Sequence, residues 1–196
     1  MVHDPSLPTF HLEAGTALAQ AQPGHTRVVT VESAAVEVMT DLTTVKAATI
    51  APSTPLRLAE QVMIYQGVRM LFVVAEMPAI EGLITAHDLH GETQMRLVHE
   101  RHARYADLCV ADVMTGVSML EAIDHDRLQT ATVGQIIAAI QRVGRDHLLV
   151  VQSATAQSPR RVRGIISRAQ VERQVGFPIG ITPVASSFSE IERALF

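Results

Sequence analysis

One tripeptide occurs twice in the chain: Val38-Met39-Thr40 returns as Val113-Met114-Thr115. Downstream of each copy the same signals follow in the same order, which marks an internal repeat. After the first copy, the β-prone stretch Val45 to Ile50 leads through Ala51-Pro52-Ser53 to Thr54. Thr54 is the expected cap of a helix with Pro55 at its first position. Leu58, Val62 and Tyr65 fall at i, i+4 and i+7, with Ala59 and Met63 beside them, and predict its apolar face. Gly67 ends that helix, and Met70 to Val74 is a continuous apolar strand, a pattern expected of a strand covered on both faces. A turn at Met77-Pro78 precedes Gly82-Leu83-Ile84-Thr85, a second strand that runs into a second helix.

After the second copy, a strand near Met119 to Ile123 is followed by a longer connection through His125 and Arg127. Thr132 then caps a helix carrying Ile136, Ile140 and Val143, ended by Gly144, and Leu148 to Val151 matches the buried strand. Gly164-Ile165-Ile166-Ser167 matches the second strand. Gly67 and Gly144 stand 77 residues apart but Gly82 and Gly164 stand 82 apart, so the second hairpin holds five extra residues. The polar stretch Ser153 to Arg160 suits that insertion as a surface loop. The pattern is a tandem β-α-β-β-α unit of the α/β (α+β) class. Each copy is too small to bury a core comfortably alone, so the two are expected to form one fold unit.

The chemistry-bearing stretch is Gly82-Leu83-Ile84-Thr85-Ala86-His87-Asp88. A strand entering a helix leaves free backbone amides that favour an anion. Thr85 at the cap and Asp88 in the first turn could face a phosphate and a sugar diol. The same Thr-x-x-Asp spacing is that of a capping box, in which the two side chains satisfy the helix amides themselves. The second copy has Ser167-Arg168-Ala169-Gln170 at this place. It keeps the hydroxyl but replaces the carboxylate with an amide, which cannot give charge-assisted bonds, and it also reads as a capping box.

Two such units, each preceded by Val-Met-Thr, resemble a tandem pair of CBS domains, the modules named after cystathionine beta-synthase. The resemblance runs from about Ala35 to Gly176 and rests on the capped helix, the glycine, the apolar strand and the Gly-apolar-apolar-(Thr/Ser)-x-x-Asp motif. It implies two repeats packed sheet to sheet about a pseudo-twofold axis, with two equivalent clefts. Adenine nucleotides (AMP, ADP or ATP) or S-adenosylmethionine commonly occupy such clefts. By that resemblance Asp88 holds ribose hydroxyls and Thr85 a phosphate. Ile84, Val68, Arg69 and Met70 line the adenine side, with Arg69 leaning toward phosphates, and Gly82 joins the ligand-binding set. Ser167 and Arg168 make a weaker second site. The expected organisation is an arm over residues 1–34, a first repeat with an extended helix over 35–106, a second repeat over 107–176, and a tail over 177–196. In the tail, Ser187 to Glu190 opens a short helix with Phe188, Ile191 and Leu195 on one face.

The function expected is that of a regulatory module that senses an adenosyl ligand and signals to a protein effector in trans. The alternative is a dimerising assembly protein that binds no ligand. A homodimer or higher assembly is expected, with the helices after each motif or the last helix at the contact, because apolar faces such as that of the last helix seek partners. No enzyme is expected: no nucleophile elbow, Walker loop or dinucleotide fingerprint is present. A formal charge of −4 gives no footprint for nucleic acid. No apolar run is long enough for a membrane span and no secretion signal is evident, so a cytoplasmic location is expected. The single cysteine, Cys109, reads as a small semi-buried hydrophobe. The pairs His87/His90 and His99/His102 read as solvated helix histidines, and no metal site is expected.

Overall fold

The computed structural model describes residues 11, 16, 28–90, 97, 99, 104–155 and 158–181. The first half contains β2 (Thr49–Ile50), α1 (Leu56–Gln66), β3 (Met70–Val73), β4 (Gly82–Thr85) and α2 (Ala86–His90), preceded by β1 (Thr40–Asp41). The helix α3 (Val110–Val113) and strand β5 (Thr115–Gly116) lead into the second half. That half contains β6 (Ala122–Asp124), α4 (His125–Thr130), α5 (Val133–Val143), β7 (His147–Gln152), β8 (Arg161–Ser167) and α6 (Arg168–Val175). The expected β-α-β-β-α order is therefore present twice. α4 fills the connection through His125 and Arg127, with the Asp124 carboxylate accepting from the amides of Asp126 and Arg127.

Each half forms a four-stranded sheet, and each sheet takes one strand from outside its own half. The orders are β2-β3-β4-β5 and β1-β8-β7-β6. β2 and β6 pair parallel with β3 and β7, which the intervening helices permit, and the remaining pairs are antiparallel. β1 precedes the first half yet pairs with β8, placing Thr40 opposite Ile165. β5 precedes the second half yet pairs with β4, placing Thr115 opposite Leu83. The repeated Val-Met-Thr is thus the lead-in that each half lends to the other. The exchange includes the short helical turns before these strands. Ala35 and Val38 join the core of the second half, whereas Leu108, Val110 and Val113 join that of the first. Gly82 and Gly164 are the points of close approach. A Cβ on Gly82 would collide with the Thr115 carbonyl, and one on Gly164 with the Met39 side chain.

Side-chain alternation sorts the strands between two environments. Leu71, Val73 and Ile84 face the helices of the first half, and Leu148, Val150 and Ile166 those of the second. Met70, Phe72 and Leu83 turn the other way and meet Leu149 between the sheets, flanked by Val162 and Ile165. β3 is buried along its whole length, as a strand covered on both faces should be.

Three local expectations change. Thr54 makes no side-chain cap: Pro55 occupies the cap position of α1, and the Thr54 carbonyl accepts from the Val110 amide. The buried face of α1 is Leu56, Ala59 and Met63, while Tyr65 is 92% exposed and Leu58 46%. Leu56, Ala59 and Met63 fall at i, i+3 and i+7 and form the stripe that packs, which leaves Leu58 and Tyr65 outside it. In the first half only Thr49–Ile50 of the stretch Val45 to Ile50 is strand. By contrast, Thr132 and Gln135 cap α5 reciprocally, and Gly67 and Gly144 end their helices at φ 65° and 68°. Val29 is a buried anchor whose amide donates to the Gln174 carbonyl. The predicted terminal helix and most of the expected extension of α2 lie outside the described residues.

Candidate functional site

β3 and β4 end side by side, with Met70 opposite Thr85, and β7 and β8 end with His147 opposite Ser167. These four positions lie on the faces that carry Phe72, Leu83, Leu149 and Ile165, so they rim the apolar layer between the sheets. Each rim is fixed by one backbone bond: the Ala86 amide donates to the Arg69 carbonyl, and the Arg168 amide to the Asp146 carbonyl, both at 2.9 Å. The sequence motif thus stands where the two halves face one another.

At the first rim the capping box is real. The amide and hydroxyl of Thr85 donate to Asp88 Oδ2 at 2.8 and 2.7 Å, and the Asp88 amide donates to Thr85 Oγ1 at 3.3 Å. The motif is pre-ordered by its own bonds, while Asp88 Oδ1 has no hydrogen bond among the described residues. One carboxylate oxygen holds the turn, and the other takes no part in it.

The second rim differs from what its sequence promises. Ser167 makes no capping bond. Gln170 instead accepts at Oε1 from Thr40 Oγ1 at 3.2 Å, which uses the position matched to Asp88 to hold the exchanged strand β1. Arg168 is committed to ion pairs. Its Nε and Nη2 lie 2.8 Å from Asp146 Oδ1, and its Nη1 donates to Glu172 Oε1 at 3.1 Å. The Asp146 carboxylate holds the Arg168 guanidinium in its charged form. The same arginine reaches the Ile179 carbonyl, and Glu172 accepts from the Ile179 amide at 2.8 Å. Ile179 thereby docks in the second core.

Of the residues proposed for the adenine side, Met70 faces the layer between the sheets. Ile84 does not: it is fully buried among the helices of the first half, because alternation from Thr85 turns it to the opposite face. Leu83 takes that place. Val68 packs against the first-half core, and Gly82 has a packing reason of its own, the approach of Thr115. Arg69 is exposed and forms no ion pair among the described residues.

Three residues join the site that the motif alone did not indicate. Thr115 lies opposite Leu83 and accepts from Arg145 Nη1 at 3.4 Å, so a second-half arginine reaches across to the first sheet. His147 stands at the position of Met70, with its Nδ1 buried and unpaired. Burial pushes its pKa below the ordinary 6.5; Arg69 and Arg168 act in the same direction, whereas Asp146 and Asp88 oppose it. The 77-residue offset that pairs Gly67 with Gly144 pairs Val68-Arg69-Met70 with Arg145-Asp146-His147, and it was the available signal. A depression of about 250 Å³ lies elsewhere, between β6 and Ala139, Arg142 and Val143 of α5. It is lined by Leu148 from the helix side of the second sheet and does not open between the halves.

This arrangement, two exchanged four-stranded sheets face to face with a Thr/Asp turn at the rim between them, decides the fold. The chain has the fold of a tandem CBS pair. It superposes on CBSX2 of Arabidopsis thaliana, determined in complex with AMP, at a TM-score of 0.51 and 18% identity, over 72% of this chain and 94% of that one. A conserved protein of Pyrococcus horikoshii aligns at 0.52 and 17%, over 79% of this chain and 100% of that one. A protein with CBS domains from Burkholderia ambifaria aligns at 0.50 and 18%, over 71% and 89%. No family model matches the sequence, and no curated protein does. Among the described residues, no group of three or more His, Cys, Asp or Glu side chains is placed to hold a metal ion. No helix among them is long and apolar enough to cross a membrane.

Proposed function

We propose that this CBS pair is a regulatory sensor, binding an adenosyl ligand in the Asp88 cleft between its halves and signalling to a protein effector in trans. The observation that carries the reading is the pre-ordered Thr85/Asp88 turn, which leaves one carboxylate oxygen free at the rim of an apolar inter-sheet layer. The apolar layer, with Met70 and Leu83, suits a purine; the free Asp88 oxygen suits a ribose diol. The AMP complex of CBSX2 supports this choice of ligand class. Because the cleft is walled by both sheets, a ligand there would change how the halves pack, and that change is what an effector would read. Its role is regulation without catalysis, in the cytoplasm.

The test is ligand-induced stabilisation. Ligand at 100 times its dissociation constant should add about 2.7 kcal/mol to the folding free energy. Asp88→Ala should remove most of that increment, since losing a charged hydrogen-bond partner costs about 1.5–3 kcal/mol. Gln170→Ala, which only frees Thr40, should leave it in place. Each variant is compared with its own unliganded melt, because Asp88→Ala also dismantles the capping box. A shift that follows Gln170 instead would move the site to the other cleft. No shift with AMP, ADP, ATP or S-adenosylmethionine would leave the second reading.

That second reading, a dimerising assembly protein, is favoured by the outer side of α1, where Leu58, Ile64 and Tyr65 are exposed. Apolar residues of this size on one helix suit a homodimer contact. Sedimentation of the wild type and of Ile64→Glu would separate an association through this helix from association elsewhere.

A further inference from the structure

We infer that the groove along the outer side of α6 is the docking site of this chain's own tail, residues 187–196, seated with Phe188, Ile191 and Leu195 inward. The groove encloses about 460 Å³ and is lined by Ala169, Glu172, Arg173, Gly176, Phe177 and Pro178. Ala169, Arg173 and Gly176 fall at i, i+4 and i+7, so they share one side of the helix. The small residues keep that side low: a Cβ on Gly176 would meet nothing within 4 Å. Phe177 stands beside them 45% exposed, an aromatic ring left nearly half open.

The chain itself leads to this groove. Past Gly176 it turns back along α6. The Ile179 amide donates to Glu172 Oε1 at 2.8 Å, and Arg168, one turn nearer the helix start, donates to the Ile179 carbonyl at 3.3 Å. Ile179 is buried and Ile181 packs partly buried on the second core, so the chain is still held at α6 where the described part ends. The next five residues, 182–186, span at most about 18 Å. As the helix its spacing predicts, 187–196 is about 15 Å long, and the eight residues of α6 are about 12 Å. The segment therefore reaches the groove and matches its length.

Charge agrees with this placement. Arg173 is exposed and forms no ion pair among the described residues. In the segment Glu190 and Glu192 outnumber Arg193, and Glu192 adjoins the apolar row. A tether this short gives an effective concentration on the order of millimolar, which favours the segment over a second copy as the occupant.

Hydrogen exchange of the full chain, read by mass spectrometry, tests this. In wild type the amides of 187–196 should exchange at least about tenfold more slowly than those of an unfolded peptide, at every protein concentration. Ile191→Glu in the segment and Phe177→Ser in the groove should each abolish that protection. Ile191→Glu changes no residue of the described core, and a melt of each variant verifies that the fold persists. Arg173→Glu and Glu192→Arg should each lower the protection about two- to fivefold, the scale of one exposed ion pair, and the two together should restore it. No protection in wild type would overturn the inference. Protection that rises with protein concentration would make a second copy the partner and overturn it as well. Protection indifferent to Phe177 and Arg173 would seat the segment elsewhere, such as on the exposed side of α1, with the same consequence.

Discussion

At matched positions the first rim carries Arg69, Met70, Ala86 and Asp88, and the second carries Asp146, His147, Arg168 and Gln170. The backbone treats them alike, with the same strand registers and the same amide-to-carbonyl bond at each helix start. The side chains differ in whom they bind. The second rim is closed on itself: Arg168 joins Asp146, Glu172 and Ile179, and Gln170 joins Thr40. Among the described residues, the first rim keeps Arg69 and one oxygen of Asp88 without internal partners. The repeat supplies two matched rims, and in the second the polar groups are committed to holding the lead-in strand and the chain after α6. A buried or half-buried ion pair adds little net stability, so this commitment is better understood as positioning than as strength.

The comparison breaks most completely if the halves can be separated. A chain of residues 1–106 keeps β2, β3 and β4 but loses β5 together with Leu108, Val110 and Val113, all part of its sheet or core. It also exposes Met70, Phe72 and Leu83, which the second sheet covers. The expected outcome is no cooperative thermal transition. A melt resembling that of the whole chain would show that the exchange is decoration rather than architecture.

A smaller effect separates the two strand glycines. An added methyl at Gly82 meets the Thr115 backbone carbonyl, which cannot move without breaking the β4–β5 pairing. At Gly164 the first obstacle is the Met39 side chain, which can change rotamer, although the Thr40 carbonyl is also close. Overpacking costs about 1–3 kcal/mol. Gly82→Ala should sit at the upper end of that range and Gly164→Ala at the lower. Each 1 kcal/mol appears as roughly 2–4 °C in the melting temperature of a chain this size. Equal losses would mean that Met39 is as fixed as backbone.

The repeat was legible because its punctuation is local: Gly67 and Gly144 are left-handed helix ends, and Met70 to Val73 needs cover on both faces. The strand exchange was not legible, since Val-Met-Thr carries no mark of which half it will pair with. The site was legible to the extent that it is short-range. Thr85 and Asp88 stand three residues apart and meet as the spacing suggests. Alternation already contained the correction from Ile84 to Leu83. Arg145 and Thr115 meet across 30 residues, and Thr40 and Gln170 across 130, distances at which only the packed sheets decide contacts. The misplaced face of α1 had a simpler cause: its sequence offers two apolar stripes, and only packing selects Leu56, Ala59 and Met63 over Leu58 and Tyr65.

The smallest expected effect concerns the one titratable difference between the paired strand ends, His147 against Met70. In the folded chain, burial lowers the His147 pKa; Arg69 and Arg168 lower it further, while Asp146 and Asp88 raise it, and the lowering prevails. The unfolded chain has the ordinary value of 6.5. Between the two values the unfolded state binds more protons, so stability rises with pH through that interval. The contribution is fully present above about 6.5 and is lost as pH falls toward the folded value. The measurement is a difference: denaturant midpoints of wild type and His147→Met from pH 7.5 to 5. Met is the residue the first half already accommodates at this position. The variant should gain on the wild type as the pH drops. A gap that stays constant over the range would mean that protonated His147 is as well housed as the neutral form. The second rim would then be open to water at the place where the structure buries Nδ1.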